Sequence, residues 1–291
     1  MFKKNRGGYS LLSKKQFGVL MPKHFYHFKN IWVEFLQYLH LLKEGKSIKD
    51  KTIIFVYCLF APYRMLKKAI GIQNHRQYIK AISLKNADGL FNCGRSFISS
   101  RIVCEFYEKD LHEYLNLKEG VFIDVGAHIG KYTIALGKKI GKRGKVISIE
   151  PETENFNLLK KNVGLNKLTN VSLQNAACAG QDGEAILYVH KDHPTLHSFY
   201  INRGPSQIRV KTVKLDTIIQ NLKINRVDLV KIDVEGAEID VIKGSSDILK
   251  KHHPRIIFEA FDSENLKKIE KILCSLDYKV KQIKGKNFFA Y

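Results

Sequence analysis

The sequence predicts an α/β fold, a mostly parallel sheet preceded by a mainly helical region. Three observations carry this. From residue 121 onward, short β-rich runs alternate with helical patterns, which implies a parallel sheet covered on both faces. The first such run passes through a glycine turn straight into a helix, "FIDVGAHIGKYT". The tail reads as a hairpin, so one strand of the sheet is expected to run antiparallel.

In the first region Phe25, Phe28, Trp32, Phe35, Leu36 and Leu39 recur at three- and four-residue steps, as on one face of a helix. We read that stripe as core rather than a cofactor box. A second helix is predicted over Lys51 to Ile70, broken or kinked at Pro62. Short strands are expected around Ile82 and Phe97, with Asp88-Gly89 as a turn. Cys104 to Leu115 reads as a helix leading into the second half.

The second region follows in order. Val121–Val125 is a strand and Tyr132–Ile140 a helix. Lys145–Ile149 is a strand set off by Gly141 and Gly144. Glu152–Leu165 is a helix with Phe156, Leu159 and Val163 on one side. Val171–Asn175 and Leu229–Val234 are strands, and Ala237–Ile242 begins a helix. Arg255–Ala260 is a strand and Ser263–Leu276 a helix. Tyr278–Ile283 and Phe288–Tyr291 form the closing hairpin. An insertion carries paired strands, Ala185–His190 and Ile208–Val213, around the loop "KDHPTLHSFYINRGPSQ". The chain is thus divided into residues 1–103, basic and mainly helical, and residues 104–291.

The formal net charge is +21 over 291 residues. Residues 1–80 hold 16 Lys+Arg against 3 Asp+Glu, a net of +13. Such a balance suits anionic partners, nucleic acid or an acidic membrane surface. Lysine outnumbers arginine, the residue suited to forked phosphate contacts, so a generic lysine-rich composition accounts for part of the excess. The five cysteines form no C-x-x-C pair, which points to a reduced, cytoplasmic setting without zinc or disulfides. No signal-peptide pattern stands at the start. The longest apolar run, Ile53 to Ala61, falls short of the roughly 20 residues that span a bilayer. A buried or interfacial helix is expected there.

In an open α/β sheet, ligands sit beyond the carboxyl ends of the strands. Those ends carry Asp124, Gly126, Ala127, His128 and Gly130; then Glu150 and Pro151; then Asn175 and Ala176; then Asp233 and Glu235; then Glu259 and Phe261. The spacing Gly126-Ala-His-Ile-Gly130 lacks the middle glycine that lets a backbone approach a pyrophosphate, which counts against NAD. S-adenosylmethionine has no pyrophosphate and tolerates His128. Its ribose diol wants a carboxylate acceptor, and Glu150 stands where that acceptor belongs, although both cofactor classes use such an acid.

Together "FIDVGAHIGKYT", "ISIEPE", "VKLDTI" and "VDLVKIDVEGAEIDVIKG" resemble the FkbM family of S-adenosylmethionine-dependent methyltransferases, from about Cys104 onward. The resemblance implies a class I methyltransferase (Rossmann-like) fold, a seven-stranded sheet whose last strand is antiparallel. It implies that Asp124, Gly126, Ala127, His128, Gly130 and Thr133 belong to the donor loop. Glu150, beside Pro151, would hold the ribose, Asn175 and Ala176 would lie near the adenine, and Asp233 would face the reacting methyl group. Histidine at 128 suits the family, which carries asparagine or histidine there.

Methyl transfer is an in-line displacement, so the protein mainly aligns the reactants, and an alcohol nucleophile also needs a base. Candidates are Asp233, Glu235, Glu259 and the loop histidines His193 and His197, with Asp233 favoured by position. The histidines read more readily as solvated, inert loop residues, and Glu238 more readily still as an acid favoured by a helix dipole. No third oxygen ligand joins Asp233 and Glu259, so no metal is predicted. An "NPPY" signature is absent, which favours O-methylation, and the resemblance to the FkbM family implies a hydroxyl-bearing acceptor such as a sugar, glycan or secondary metabolite. The charge keeps an RNA methyltransferase as an alternative, and a non-catalytic donor-binding protein is the other. The basic head is expected to cap the acceptor pocket or to touch a membrane surface through residues 1–80.

Overall fold

The computed structural model describes residues 37–61, 63, 80–189, 206–260 and 262–291. The stripe from Phe25 to Leu36, the helix beyond Arg64, His193, His197 and Phe261 lie outside them. Residues 37–44 are helical. Helix α1, Ile48–Leu59, starts earlier than the apolar pattern suggests because Ser47 and Asp50 form a capping box, satisfying N–H groups at the helix start.

Strands β1 (Ser83–Lys85) and β2 (Leu90–Asn92) form a hairpin. Asp88-Gly89 is its turn, and Asn86 Oδ1 accepts from both N–H groups at 3.1 and 3.2 Å. Phe97 is not in a strand, as expected above, but opens helix α2, Phe97–Val103, capped by the Ser96 hydroxyl. Its ring is buried and stacked on Tyr57, with centroids 3.7 Å apart. Here the cap and the tertiary contact override the β-propensity of phenylalanine. Cys104–Leu115 is not an α-helix either; only Lys109–Leu111 forms a 3₁₀ turn. Glu108 is left-handed there (φ 49°), and Lys131 Nζ takes the carbonyls of Cys104 and Tyr107.

The main sheet uses β3 (Gly120–Val125), β4 (Gly144–Ile149), β5 (Val171–Gln174), β9 (Leu229–Ile232), β10 (Arg255–Glu259), β11 (Val280–Lys284) and β12 (Asn287–Ala290). Its order is β11-β12-β10-β9-β3-β4-β5. Neighbours run parallel except β12, which is antiparallel to both β10 and β11. This is the seven-stranded sheet with an antiparallel last strand that the resemblance implied. Strands β3, β4 and β9 read as near-continuous apolar runs because both faces are covered. Helices α3 (Lys131–Ile140), α4 (Thr153–Leu165), α6 (Glu238–Lys243) and α8 (Ser263–Cys274) do much of the covering. Not anticipated above are the closing of a separate sheet β6-β8-β7 (Ala177–Cys178, Ser206–Val213, Gly183–Val189) by β6, and the short helices α5 (Leu215–Asn221) and α7 (Ser246–His252). The β7–β8 pairing itself was expected.

One apolar cluster joins Leu41, Ile54, Leu84, Phe91 and Phe97 of the head to Ala127, Ile129, Ile134, Leu159 and Val163. The chain builds outward from β3 to β5, then returns to β9 on the other side of β3. That reversal opens a crevice at the carboxyl ends of β3 and β9.

Candidate active site

The crevice owes its shape to the exit from β3. Gly126 has φ 82°, and a Cβ there would lie 1.8 Å from the Asp233 carbonyl oxygen. Only glycine lets the two strand exits run side by side. The N–H groups of Gly126 and Ala127 both donate to Ile149 O at 3.0 Å. His128 is left-handed (φ 50°), and its N–H donates to Glu150 Oε2 at 2.8 Å. The loop is therefore stitched to the end of β4. Behind it, buried Asp124 accepts from Thr133 Oγ1 at 2.7 Å, and Thr133 is bonded to Ser148 at 2.7 Å. Gly130 (φ 96°) starts α3 against Leu159.

A cavity of about 250 Å³ fills the crevice. Of the residues singled out in the sequence, Gly126, Ala127, His128, Glu150, Pro151, Ala176, Asp233, Glu235 and Glu259 line it. Asp124, Gly130 and Thr133 do not; they support the loop from behind. Asn175 is also off the wall. Its Nδ2 donates to the Glu150 and Pro151 carbonyls at 2.8 and 3.2 Å, fixing the turn after β4. His197 lies outside the described residues.

Glu150 is 5% exposed. Burial pushes its pKa up to about 7, against the backbone N–H groups of Glu152 and His128. Each carboxylate oxygen takes one of those bonds, at 3.0 and 2.8 Å, and the Asn155 side chain donates a third to the same carboxylate, which leaves room for a further donor among its roughly four acceptor positions. Apolar Ile149, Ala176 and Leu187 flank it along the cavity. A vicinal diol beside a flat heterocycle fits that wall.

The opposite wall is charged. Lys231, buried in β9, donates from Nζ to Asp233 Oδ2 at 2.9 Å. Burial would depress Lys231, but the carboxylates of Asp233, Glu108 and Asp124 hold its pKa above the usual value. Asp233 keeps 32% of its side-chain surface and lines the cavity. Burial would raise its carboxyl, yet the Lys231 ammonium and a hydrogen bond from Glu259 hold it below the ordinary range. Glu259 goes the other way, raised by burial and by the charges of Asp233 and Glu235. Two carboxyls this close share a proton; Glu259 carries it and Asp233 stays ionised. The turn beneath them is tied by buried Glu238, whose Oε1 accepts from Gly236 N at 3.0 Å and Val234 N at 3.4 Å. This is a structural task beyond the helix-dipole reading of that residue.

Sequence reasoning passed over Lys231, Lys131, Tyr132 and Glu108, all on the cavity wall. Lys231 left a signal: it is a charge inside an apolar strand, two residues before Asp233 and so on the same face. Lys131 is buried, which lowers its pKa to about 8 despite nearby acids. Glu108, the acceptor of the Tyr132 hydroxyl, left no signal, since it sits in a segment that reads as helix. Among the described residues no group of three or more His, Cys, Asp or Glu could hold a metal ion.

A doubly wound sheet that reverses at its first strand is shared with dinucleotide-binding folds, but the seventh strand β12, inserted antiparallel between β10 and β11, makes this the class I methyltransferase fold. Residues 124–280 match the methyltransferase FkbM domain. The chain belongs to the FkbM family of S-adenosylmethionine-dependent methyltransferases. It is similar to Methyltransferase 1 of Beauveria bassiana (strain ARSEF 2860), 23% identical over 149 residues, 44% of this chain and 59% of that protein. It is also similar to Methyltransferase sdnD of Sordaria araneosa, 25% identical over 182 residues, 50% of this chain and 70% of that one. The match thus spans less than two thirds of the Beauveria protein. Among solved structures, Methyltransferase FkbM from Methylobacillus flagellatus KT is 18% identical with a TM-score of 0.45, covering 66% of this chain and 54% of that one.

Proposed function

We propose that the protein methylates a hydroxyl group of a sugar, glycan or secondary metabolite. S-adenosylmethionine, when bound, supplies a methyl group already activated on a sulfonium. Glu150 would hold the ribose hydroxyls, with Ile149, Ala176 and Leu187 against the adenine. The acidic wall around Asp233 would face the cationic end.

The observation that carries the hydroxyl reading is the Lys231–Asp233–Glu259 group. An alcohol must lose a proton as it attacks. Asp233 is ionised, faces the cavity and is held by Lys231 in one orientation, so it can take that proton, with Glu259 setting its basicity. Beyond β9 the chain reads Asp233-Val-Glu-Gly236, without the proline-rich signature of amide and base nitrogen methylation.

The test is a screen of purified protein and labelled donor against hydroxylated glycans, lipid-linked sugars and secondary metabolites, with RNA as a comparison. The expected product is a methyl ether. Asp233→Asn should lower turnover by about 10²–10⁴-fold, the usual contribution of a positioned base. A methyl group on nitrogen, or full activity in Asp233→Asn, would overturn the reading.

A further inference from the structure

We propose that the outer face of α1 docks on an anionic lipid bilayer. From Ile53 to Leu59 the helix is apolar on every side. Ile54 faces the core with no exposure, while on the opposite side Ile48 is 86%, Phe55 55% and Leu59 64% exposed. Val56 and Phe60 widen the strip and are about half exposed. Ile48, Phe55 and Leu59 stand seven and four residues apart, which places them in one stripe along a helix. An all-round apolar helix is ordinarily buried on every side, and a contiguous apolar strip in water marks an interaction surface.

The charges around the strip select the partner. Over the described part of residues 37–63 the acids are Glu44 and Asp50, 6% and 7% exposed. Both are engaged inward: Glu44 accepts from Asn86 Nδ2 and Glu105 N, and Asp50 accepts from the Ser47 and Ser83 N–H groups. The basic residues Lys43, Lys46, Lys49 and Lys51 are all exposed. This end of α1 therefore shows to solvent apolar side chains, lysines and the neutral Ser47 and Thr52, and neither of its two acids. A second copy of the chain would bring two cationic rims together, which disfavours association. A bilayer with anionic headgroups supplies both complements, an apolar layer and negative charge. The helix has 12 residues, and no helix among the described residues is long and apolar enough to cross a membrane. It would lie in the interface plane.

Co-flotation of the full chain with vesicles tests this. Vesicles of phosphatidylcholine mixed with phosphatidylglycerol should carry the protein, and phosphatidylcholine alone should not. Binding should weaken as salt rises. Phe55→Ser with Leu59→Ser should lower partitioning by about 100-fold, roughly tenfold for each side chain. Lys46→Glu with Lys49→Glu should lower it by at least about tenfold. These positions are exposed, and an unchanged thermal melt and donor affinity would show that the variants fold. The proposal is overturned if the wild type does not float at low salt, if the Phe55/Leu59 variant floats as well as wild type, or if that variant converts a dimer to a monomer without any vesicle binding in the wild type. None of these outcomes bears on the methyl-transfer reading.

Discussion

Glu150 links proton and donor binding. Its carboxyl has a native pKa of about 7 against 4.5 for an ordinary glutamate. The native state therefore keeps the proton longer than the unfolded chain. The contribution of Glu150 to stability is full below pH 4.5 and is lost as pH climbs to about 7. Ribose hydroxyls donate hydrogen bonds, which favour the charged carboxylate. Donor binding should release a proton near pH 6–7, and donor affinity should rise with pH across that range. Calorimetry in buffers of different ionisation enthalpy reads the release directly. In Glu150→Gln the release should vanish and affinity should fall about 10–100-fold, since bonds to charged groups contribute about 1.5–3 kcal/mol each. Unchanged affinity would remove Glu150 from the ribose site. The Asp233–Glu259 pair predicts a second pH effect. While Glu259 holds its raised proton, it bonds to Asp233 and lowers that carboxylate's basicity. Loss of the proton frees Asp233, so kcat/KM should rise through neutral to alkaline pH rather than in the ordinary carboxylate range. Glu259→Gln keeps a permanent donor there and should be slow and flat across the same interval. An unaltered ascending limb in that variant would assign the limb to another group.

Between β3 and α3, five residues set the floor of the crevice, and Gly126 is the least replaceable. Gly126→Ala would force a non-glycine residue to φ 82° and drive its Cβ into the Asp233 carbonyl. Left-handed geometry costs about 1–2 kcal/mol and overpacking about 1–3, so a loss of about 2–5 kcal/mol is expected. A thermal melt should show a drop of about 5 °C or more, and donor binding should fall with it. A wild-type melt would mean that β9 can shift aside at no cost. This loop also marks how far the sequence could be read. The alternation of strands and helices after residue 121 was legible because each element repeats one period over several residues, and the strand ends then followed from sheet geometry. Gly126 and Glu150 were legible from a position and a residue type. Phe97 misled, since one aromatic residue carries little weight against a Ser96 cap and a ring packed on Tyr57. Cys104–Leu115 misled because its carbonyls are bonded by the side chain of Lys131, which is distant in sequence. Asn175 stood at the right strand end, but its amide is engaged with the backbone of the preceding turn. Its neighbour Ala176 is the residue on the wall.

Across the whole molecule, the head and the sheet share one interior. Ile129, Ile134, Leu159 and Val163 belong to the later part of the chain, yet they are buried against Leu41, Ile54, Leu84, Phe91 and Phe97. Polar contacts reinforce the seam: Asn162 Oδ1 accepts from Asn92 N at 2.7 Å, and the Asn166 side chain bonds both backbone groups of Leu90 at 2.9 and 2.7 Å. Burial of four such aliphatic side chains contributes roughly 6–12 kcal/mol. That is comparable with the roughly 5–15 kcal/mol net stability of a typical protein. Residues 104–291 on their own would uncover the head-facing side of these four and would leave the Asn162 and Asn166 amides without these partners. The full chain should therefore melt in one transition by near-UV and far-UV circular dichroism alike. The 104–291 fragment should lack a cooperative melt and bind no donor. A fragment that melted sharply and bound S-adenosylmethionine would show that the head is dispensable for folding. The cluster of Leu41, Ile54, Phe91 and Phe97 would then stabilise the head alone, and the division after residue 103 would be a boundary between independent folding units.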